Sequence, residues 1–372
     1  MNRLRFFLTF FMLFFLPFVI LPFGTSHFEV PKVIVAQLLI EFLVVISLFQ
    51  QQAFHLQKKA LYAIVVLVIL SVAGMFLFPS KVAFFGNPFR LQGVFLFWHL
   101  LLFCVFAKKH LFQNLPAWVV FVFLLAQVSG IFFFAPNTAL RTYSFLGEPN
   151  AFAAVGAFGL PLLFVNRRKK EIFYLGLACI ALIIFSSGSR SGLIAVAVEG
   201  VFLLLAKRFP HQLLRVFLIC CGSSLLFLVS PFFTSDLHES RAEIWRSASI
   251  AFLENPIIGG GVGNVEILLH DASNQFASFI SARYVDSSHS IFFDVLLQLG
   301  IVGLAAFLAL IFLAFRSFFR TKNSAMISLL LGMIVVLSFN PASVWELVVF
   351  WYVIGEGVST SDSSVTIESH TS

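Results

Sequence analysis

The stretch "SSHSIFFDVLLQLGIVG", residues 287–303, sets His289 and Ser290 at the lip of an apolar run and Asp294 a turn and a half inside it. An imidazole near its unperturbed pKa takes a proton readily from an attacking hydroxyl, which makes His289 a candidate general base. The competing reading is an interfacial histidine that only caps a helix. A carboxylate inside a membrane segment is costly and tends to be functional or paired. Asp294 shares a helix face with Gln298, four residues on, but lies five residues from His289. Helical geometry therefore assigns Asp294 to fixing a neighbouring helix or loop rather than to touching the imidazole.

Arginine offers the second kind of chemistry. Arg90 lies in "GNPFRLQG", Arg141 and Glu148 in "RTYSFLGEPN", Arg190 in "SSGSRSG", and Arg241 and Arg246 in "SRAEIWRS". The planar guanidinium fork grips phosphate and pyrophosphate esters bidentately and stays protonated. Serines and two glycines flank Arg190, so backbone there can approach a ligand closely. For Arg141 and Arg283 the alternative is snorkelling to lipid headgroups. Arg241 lies four residues before Trp245 and shares its face, whereas Arg246 points about 100° away and has Glu243 as a possible surface partner. Arg241 is the stronger functional candidate. Glu41 with Gln37, His99 and Glu199 read as structural.

These residues need a scaffold, and composition says which kind. Of 372 residues 60% are hydrophobic and 11% charged, with 51 phenylalanines, too few charges for a soluble protein of this size. Apolar runs of roughly 17–25 residues mark helices crossing a hydrocarbon core about 30 Å thick. The fold class is an all-α polytopic membrane protein with about twelve transmembrane helices, at 4–23, 33–50, 60–78, 92–107, 115–135, 150–165, 171–187, 191–206, 212–230, 289–315, 324–340 and 345–357. The N-terminal run follows a basic flank and lacks a small-residue cleavage site, so it reads as an uncleaved first span. Placing both termini in the cytoplasm leaves sixteen basic residues inside and eight outside: Lys32, Lys81, Arg90, Arg141, Arg190, Arg241, Arg246 and Arg283. Outward positive charge opposes insertion, so those eight require a reason. The net charge of +7 is accordingly a topology signal, and no nucleic-acid partner is expected.

Residues 231–288 form one large extracytoplasmic loop of 58 residues. Within it "SDLHESRAEIWRSASIAFLEN" spaces Leu237, Ile244, Trp245, Ala248, Ala251 and Phe252 as an interfacial helix, with Ser235 or Asp236 as cap and Trp245 at headgroup depth. "NPIIGGGVGN" reads as a glycine-rich turn. It is no dinucleotide fingerprint, because no strand precedes it. Neither a cofactor motif nor metal-ligand spacing occurs on this face, so none of either is expected. Cys104, Cys179, Cys220 and Cys221 sit in apolar runs as small hydrophobes. The domain covers 1–357, and 358–372 is a polar, disordered tail.

Four stretches resemble the O-antigen ligase and O-antigen polymerase family: "SRSG", "RAEIW", "NPIIGGGVGN" and the histidine segment. The last matches the ligase pattern of His, then Asn/Ser/Gln, nine residues, Gly, two residues and Gly/Thr/Tyr, here His289, Ser290, residues 291–299, Gly300 and Gly303. The likeness is densest over 141–340. It implies a multi-pass plasma (inner) membrane glycosyltransferase with an extracytoplasmic active face. Such an enzyme moves a glycan from undecaprenyl pyrophosphate to a hydroxyl, commonly on lipid A core. His289 would then be the base, with Arg241 and Arg190 on the pyrophosphate and Arg246, Arg90 and Glu148 as further substrate contacts. Two departures bear on the acceptor: a glutamate in "GEPN" where a neutral or amide residue is expected, and an outer loop compact for a ligase. A polymerase or a protein O-oligosaccharyltransferase of the same family is the alternative. A transporter or lipid-linked-sugar flippase is the alternative of another class, disfavoured because the unusual charges gather on one face and in one loop.

Overall fold

The computed structural model describes residues 2–22, 24–51, 56–134, 141–165, 169–220, 238–274 and 285–359. Described helices are α1 (Asn2–Phe14), α2 (Glu29–Phe49), α3 (Lys58–Leu77), α4 (Val94–Phe106), α5 (Ala117–Phe134), α6 (Pro149–Val165), α7 (Lys170–Ser187), α8 (Arg190–Arg208), α9 (213–220), α10 (His238–Glu254), α11 (Val265–Asn274), α12 (Ile291–Arg320), α13 (Ser324–Phe339) and α14 (Val344–Val358). A helix stands at each apolar run read from the sequence. The rest of the ninth run, the caps Ser235 and Asp236, Arg283, Cys221 and residues 360–372 of the tail lie outside the described residues.

Burial sorts the helices by their patterns. In α6 every residue from Ala151 to Leu163 is buried, and α13 and α14 are nearly as enclosed. A helix apolar all round belongs inside a bundle or a membrane, and these three form the centre. Trp345 of α14 drives its indole N–H onto the Leu13 carbonyl, 2.9 Å, and packs tilted against Phe123 and edge-on against Phe158. Around this centre α2, α3, α5 and α7 expose large apolar side chains outward, among them Phe49, Phe76, Phe132 and Phe185. Water would not tolerate such a girdle; lipid requires it. Among the described residues five helices (α2, α3, α5, α7 and α12) are long and apolar enough to cross a membrane, while α4, α6 and α13 are shorter apolar helices.

Contacts at the helix ends alternate as an up-and-down path demands. At one end Arg5 bonds the Phe106 carbonyl, Lys108 N–H bonds Thr9, and Gln57 N–H bonds the Val358 carbonyl. At the other, Val344 N–H meets Glu29, Asn340 meets Ser191, and Asn264 meets the Phe78 carbonyl. This second end carries every candidate residue described below.

Two features depart from the sequence reading. The glycine-rich turn is followed by a helix, α11, that no periodicity announced. And the apolar face of α10, assigned above to the lipid interface, is covered by protein: Ile244, Ala248 and Ala251 pack against Val265, Leu269 and Ala272 of α11 and Leu297 of α12. Fully burying aliphatic side chains of this size stabilises by about 1.5–3 kcal/mol each, which ties the loop helices to the bundle.

α12 breaks at Gly300, whose φ of 63° and ψ of −168° lie outside helical space. That break strands backbone groups, and the glycine loop pairs them. Gly260 and Gly261 N–H donate to the Leu297 and Gln298 carbonyls at 2.8 and 3.0 Å, and Ile301 and Val302 N–H donate to Pro256 and Ile257 at 2.9 and 3.3 Å. A Cβ on Gly300 would lie 2.3 Å from the Ile257 carbonyl, and one on Gly259 2.4 Å from the Gln298 backbone. The expected outcome for Gly300→Ala is a loss of about 1–3 kcal/mol from backbone strain alone, with further loss from the clash. It is read as a lowered Tm in lipid nanodiscs and faster proteolysis between α10 and α11; an unchanged Tm would show that the kink is not a fixed feature.

Candidate functional site

His289 sits just before α12, half-buried, in the left-handed region at φ 58°. Ser290, not the histidine, occupies the N-cap position of α12, and among the described residues the imidazole makes no hydrogen bond. The ring is held by its loop instead. Asp294 Oδ2 accepts the Ser287 hydroxyl and Oδ1 accepts Ser288 N–H, both at 2.8 Å. The Ser287 oxygen in turn accepts His289 N–H at 3.1 Å. Hydrogen bonds to a charged acceptor contribute roughly 1.5–3 kcal/mol each, enough to hold a strained residue in place. This is the loop-fixing role expected of Asp294.

Two further anchors come from distant sequence. Trp245 of α10 donates its indole N–H to the Ser288 carbonyl at 3.0 Å and stacks on Phe293 with ring centres 5.9 Å apart. Arg90 bonds Asp286 through Nε and the Ala342 carbonyl through Nη1, where Gln92 also donates. Residues 286–288 are thus gripped from three sides, and the side chain of the next residue is left unspent.

Arg241 lies one helical turn before Trp245, which brings it beside this loop. Arg190 begins α8, and its neighbour Ser191 accepts from Asn340 Nδ2 at 2.6 Å. Phe339, the last residue of α13, sits 6.5 Å from the Trp245 ring, so α8, α13 and α10 meet here. Arg141 is pinned by the Ser187 carbonyl at 2.8 Å and by Asn150 Oδ1 at 2.9 Å. Ser189 caps α8 by accepting Gly192 N–H and donates its hydroxyl to the same Asn150 oxygen. Among the described residues Arg190 and Arg241 have neither a carboxylate nor a hydrogen-bond partner.

Electrostatics express this crowding. Burial lowers the Arg241 pKa, and the charges of Arg141 and Arg190 lower it further. Burial, then Arg241 and Arg90, hold His289 down to about 4 against the opposing pull of Asp286. Burial alone would lower Arg90, but Asp286, Glu148 and Glu29 more than reverse it and raise its pKa. Burial pushes the Glu148 carboxyl up. The site therefore has a cationic half of Arg141, Arg190 and Arg241 and a carboxylate half of Glu29, Glu148 and Asp286 around Arg90. The neutral imidazole lies within reach of charges from both.

Of the residues singled out from sequence, the structure brings together His289, Ser290, Arg241, Arg190, Arg90 and Glu148. Gly300 forms the kink, and a Cβ on Gly303 would lie 2.1 Å from Leu299 Cβ, so the second glycine makes room for the first. Arg246 is exposed on α10 and is not among the charges acting on His289. Sequence reasoning left Arg141 between phosphate binding and snorkelling, and missed Asp286, which lies in a polar run without periodicity. It also missed the inward role of Trp245. The one signal for Arg141 was its position among the outward basic residues.

Imidazole ¹⁵N shifts should report a His289 midpoint near 4, and Arg241→Gln should move it upward because the nearest cation is gone while burial remains. A midpoint at the ordinary 6.5 in the intact protein would contradict the arrangement.

No curated protein matches this chain. Residues 175–308 match the family profile described as "O-Antigen ligase", a segment that holds Arg190, Arg241, His289, Ser290 and both motif glycines. That match makes this segment of the chain similar to the O-antigen ligase family.

Proposed function

We propose that this protein is an inverting, metal-independent glycosyltransferase, acting outside the plasma membrane on a glycan carried by undecaprenyl pyrophosphate. The observation that carries this reading is the His289 imidazole, without a hydrogen bond, beside Arg190 and Arg241, which among the described residues lack carboxylate partners. Such guanidinium groups are costly to cluster, and a multiply charged anion is the ligand that offsets the cost. They also supply the reason that the outward basic residues required.

In the reaction the pyrophosphate lies across Arg190 and Arg241, with Arg141 behind them. The acceptor hydroxyl gives its proton to the His289 imidazole as its oxygen bonds the anomeric carbon. The bond from that carbon to the pyrophosphate oxygen breaks in the same displacement. Undecaprenyl pyrophosphate leaves with the electron pair, its charge held by the guanidinium groups, and the imidazolium passes its proton to solvent. Bound pyrophosphate offsets the charge of Arg241 that depresses the imidazole. Donor binding thus raises the basicity of His289 when a base is needed. The acceptor is a sugar hydroxyl, most simply on lipid A core, making the protein ligase-like; transfer to a growing lipid-linked chain is the polymerase form of the same step.

With purified protein, a synthetic lipid-pyrophosphate glycan and a panel of acceptors, His289→Ala should reduce transfer by about 10²–10⁴-fold while the protein stays folded. Retained transfer would remove the general-base role. Arg190→Lys should be nearly as damaging as Arg190→Ala, because an ammonium cannot reproduce the bidentate fork; full activity in the lysine variant would reduce Arg190 to a simple charge. Since the base acts deprotonated, activity falls as pH drops through its pKa. With His289 held to about 4, the acid limb of kcat/KM should lie well below the ordinary 6.5.

A further inference from the structure

The carboxylate half of the site borders an open cavity of about 510 Å³, lined among others by Thr25, His27, Glu29, Arg90, Glu148 and Asp286. Four chain segments that are far apart in sequence build it: the turn before α2, the loop between α3 and α4, the turn before α6, and the strained loop that carries His289. Its wall is already ordered by protein bonds. The Thr25 hydroxyl donates to the Pro88 carbonyl, Glu29 Oε2 caps α14 by accepting Val344 N–H at 3.1 Å, and Asp286 Oδ2 is taken by Arg90. Glu148 Oε1 has only a long contact from Asn150 at 3.4 Å.

Among the described residues, Glu29 Oε1, Glu148 Oε2 and Asp286 Oδ1 have no donor. The two cations nearby are committed. Arg90 is spent on Asp286 and the Ala342 carbonyl, and Lys32 points behind the wall to the Phe28 and Phe145 carbonyls at 2.9 and 3.0 Å. Among the described residues, three carboxylates line the space with the Asp286-paired Arg90, so acceptor oxygens without a donor outnumber its one guanidinium. A ligand rich in donors satisfies them. A phosphate monoester, dianionic and acceptor-only, is repelled.

We infer that this cavity is the acceptor subsite, and that it selects a sugar presenting hydroxyl or amine donors over one bearing phosphate. The inference rests on the transfer reaction proposed above and adds the chemical class of the acceptor. It separates the two substrates by charge: the pyrophosphate on the arginine half, the neutral or amine-bearing sugar on the carboxylate half, and His289 where they meet. Glu148, the family departure in "GEPN", becomes a specificity residue. An acceptor whose reacting unit carries phosphate is disfavoured by the same field.

The test uses the full chain in nanodiscs with an alkyl lactoside and its monophosphate ester, measured by equilibrium binding without donor. The lactoside should bind, and its phosphate ester should bind at least tenfold more weakly. Glu148→Gln and Glu29→Gln keep shape and one acceptor oxygen; together they should weaken the lactoside several-fold and narrow the gap to the ester. The affinity for a synthetic lipid pyrophosphate should not change. Equal or tighter binding of the ester, no lactoside binding, or indifference to both substitutions would overturn the assignment. If the lactoside binds as expected but no acceptor receives glycan from wild-type protein, the transfer reading fails while the saccharide site stands.

Discussion

A backbone break inside an apolar helix is the constraint on which the site depends. At Gly300 the α12 ladder is interrupted, and its stranded amides and carbonyls need partners in surroundings where water is scarce. The segment from Pro256 to Gly261 supplies them, strand-like, across four hydrogen bonds. That pairing pulls α10 and α11 down onto the start of α12, where Leu297 joins their apolar cluster. Trp245 then reaches the Ser288 carbonyl, and Arg241 arrives one turn away. The pattern of histidine, Asn/Ser/Gln, nine residues and glycine therefore has a mechanical sense. Its nine residues, 291–299, are about two and a half turns of helix between the His289 loop and the kink that anchors the loop helices.

Charge division is the second organising feature. Among the described residues, cations without carboxylates and carboxylates with one paired cation both border a loop fixed by Asp294, Arg90 and Trp245. Neither half is stable on its own terms, since like charges gathered in partial burial repel. Each is held by the backbone bonds and caps around it: Ser189 and Asn150 on one side, Glu29 on α14 and Lys32 beneath the wall on the other.

How far the sequence disclosed all this depends on the kind of signal. The apolar runs were legible because crossing lipid demands long unbroken apolar helices, and the segment that carries His289 stood out by its spacing to Gly300 and Gly303. Asp294 could be separated from the imidazole by helical geometry, and it does hold Ser287 and Ser288 instead. The α11 helix was not legible: ten residues following a run of glycines carry too little periodicity. Trp245 and the face of α10 were assigned to lipid because their protein partners, Phe293 and Leu297, lie some fifty residues downstream. Asp286 became visible only through a partner distant in sequence, Arg90, whereas Arg141, a candidate by sequence, is fixed in place by Ser187. Amphipathic pattern tells that a face is covered, not by what.

The central claim is a single displacement in which His289 deprotonates the acceptor while the arginines hold the departing pyrophosphate. The anomeric configuration of the new glycosidic bond tests it most directly. NMR of the product formed from a donor of known configuration should show complete inversion. Retention would require a covalent glycosyl-enzyme intermediate and a second displacement, and would contradict the role assigned to His289.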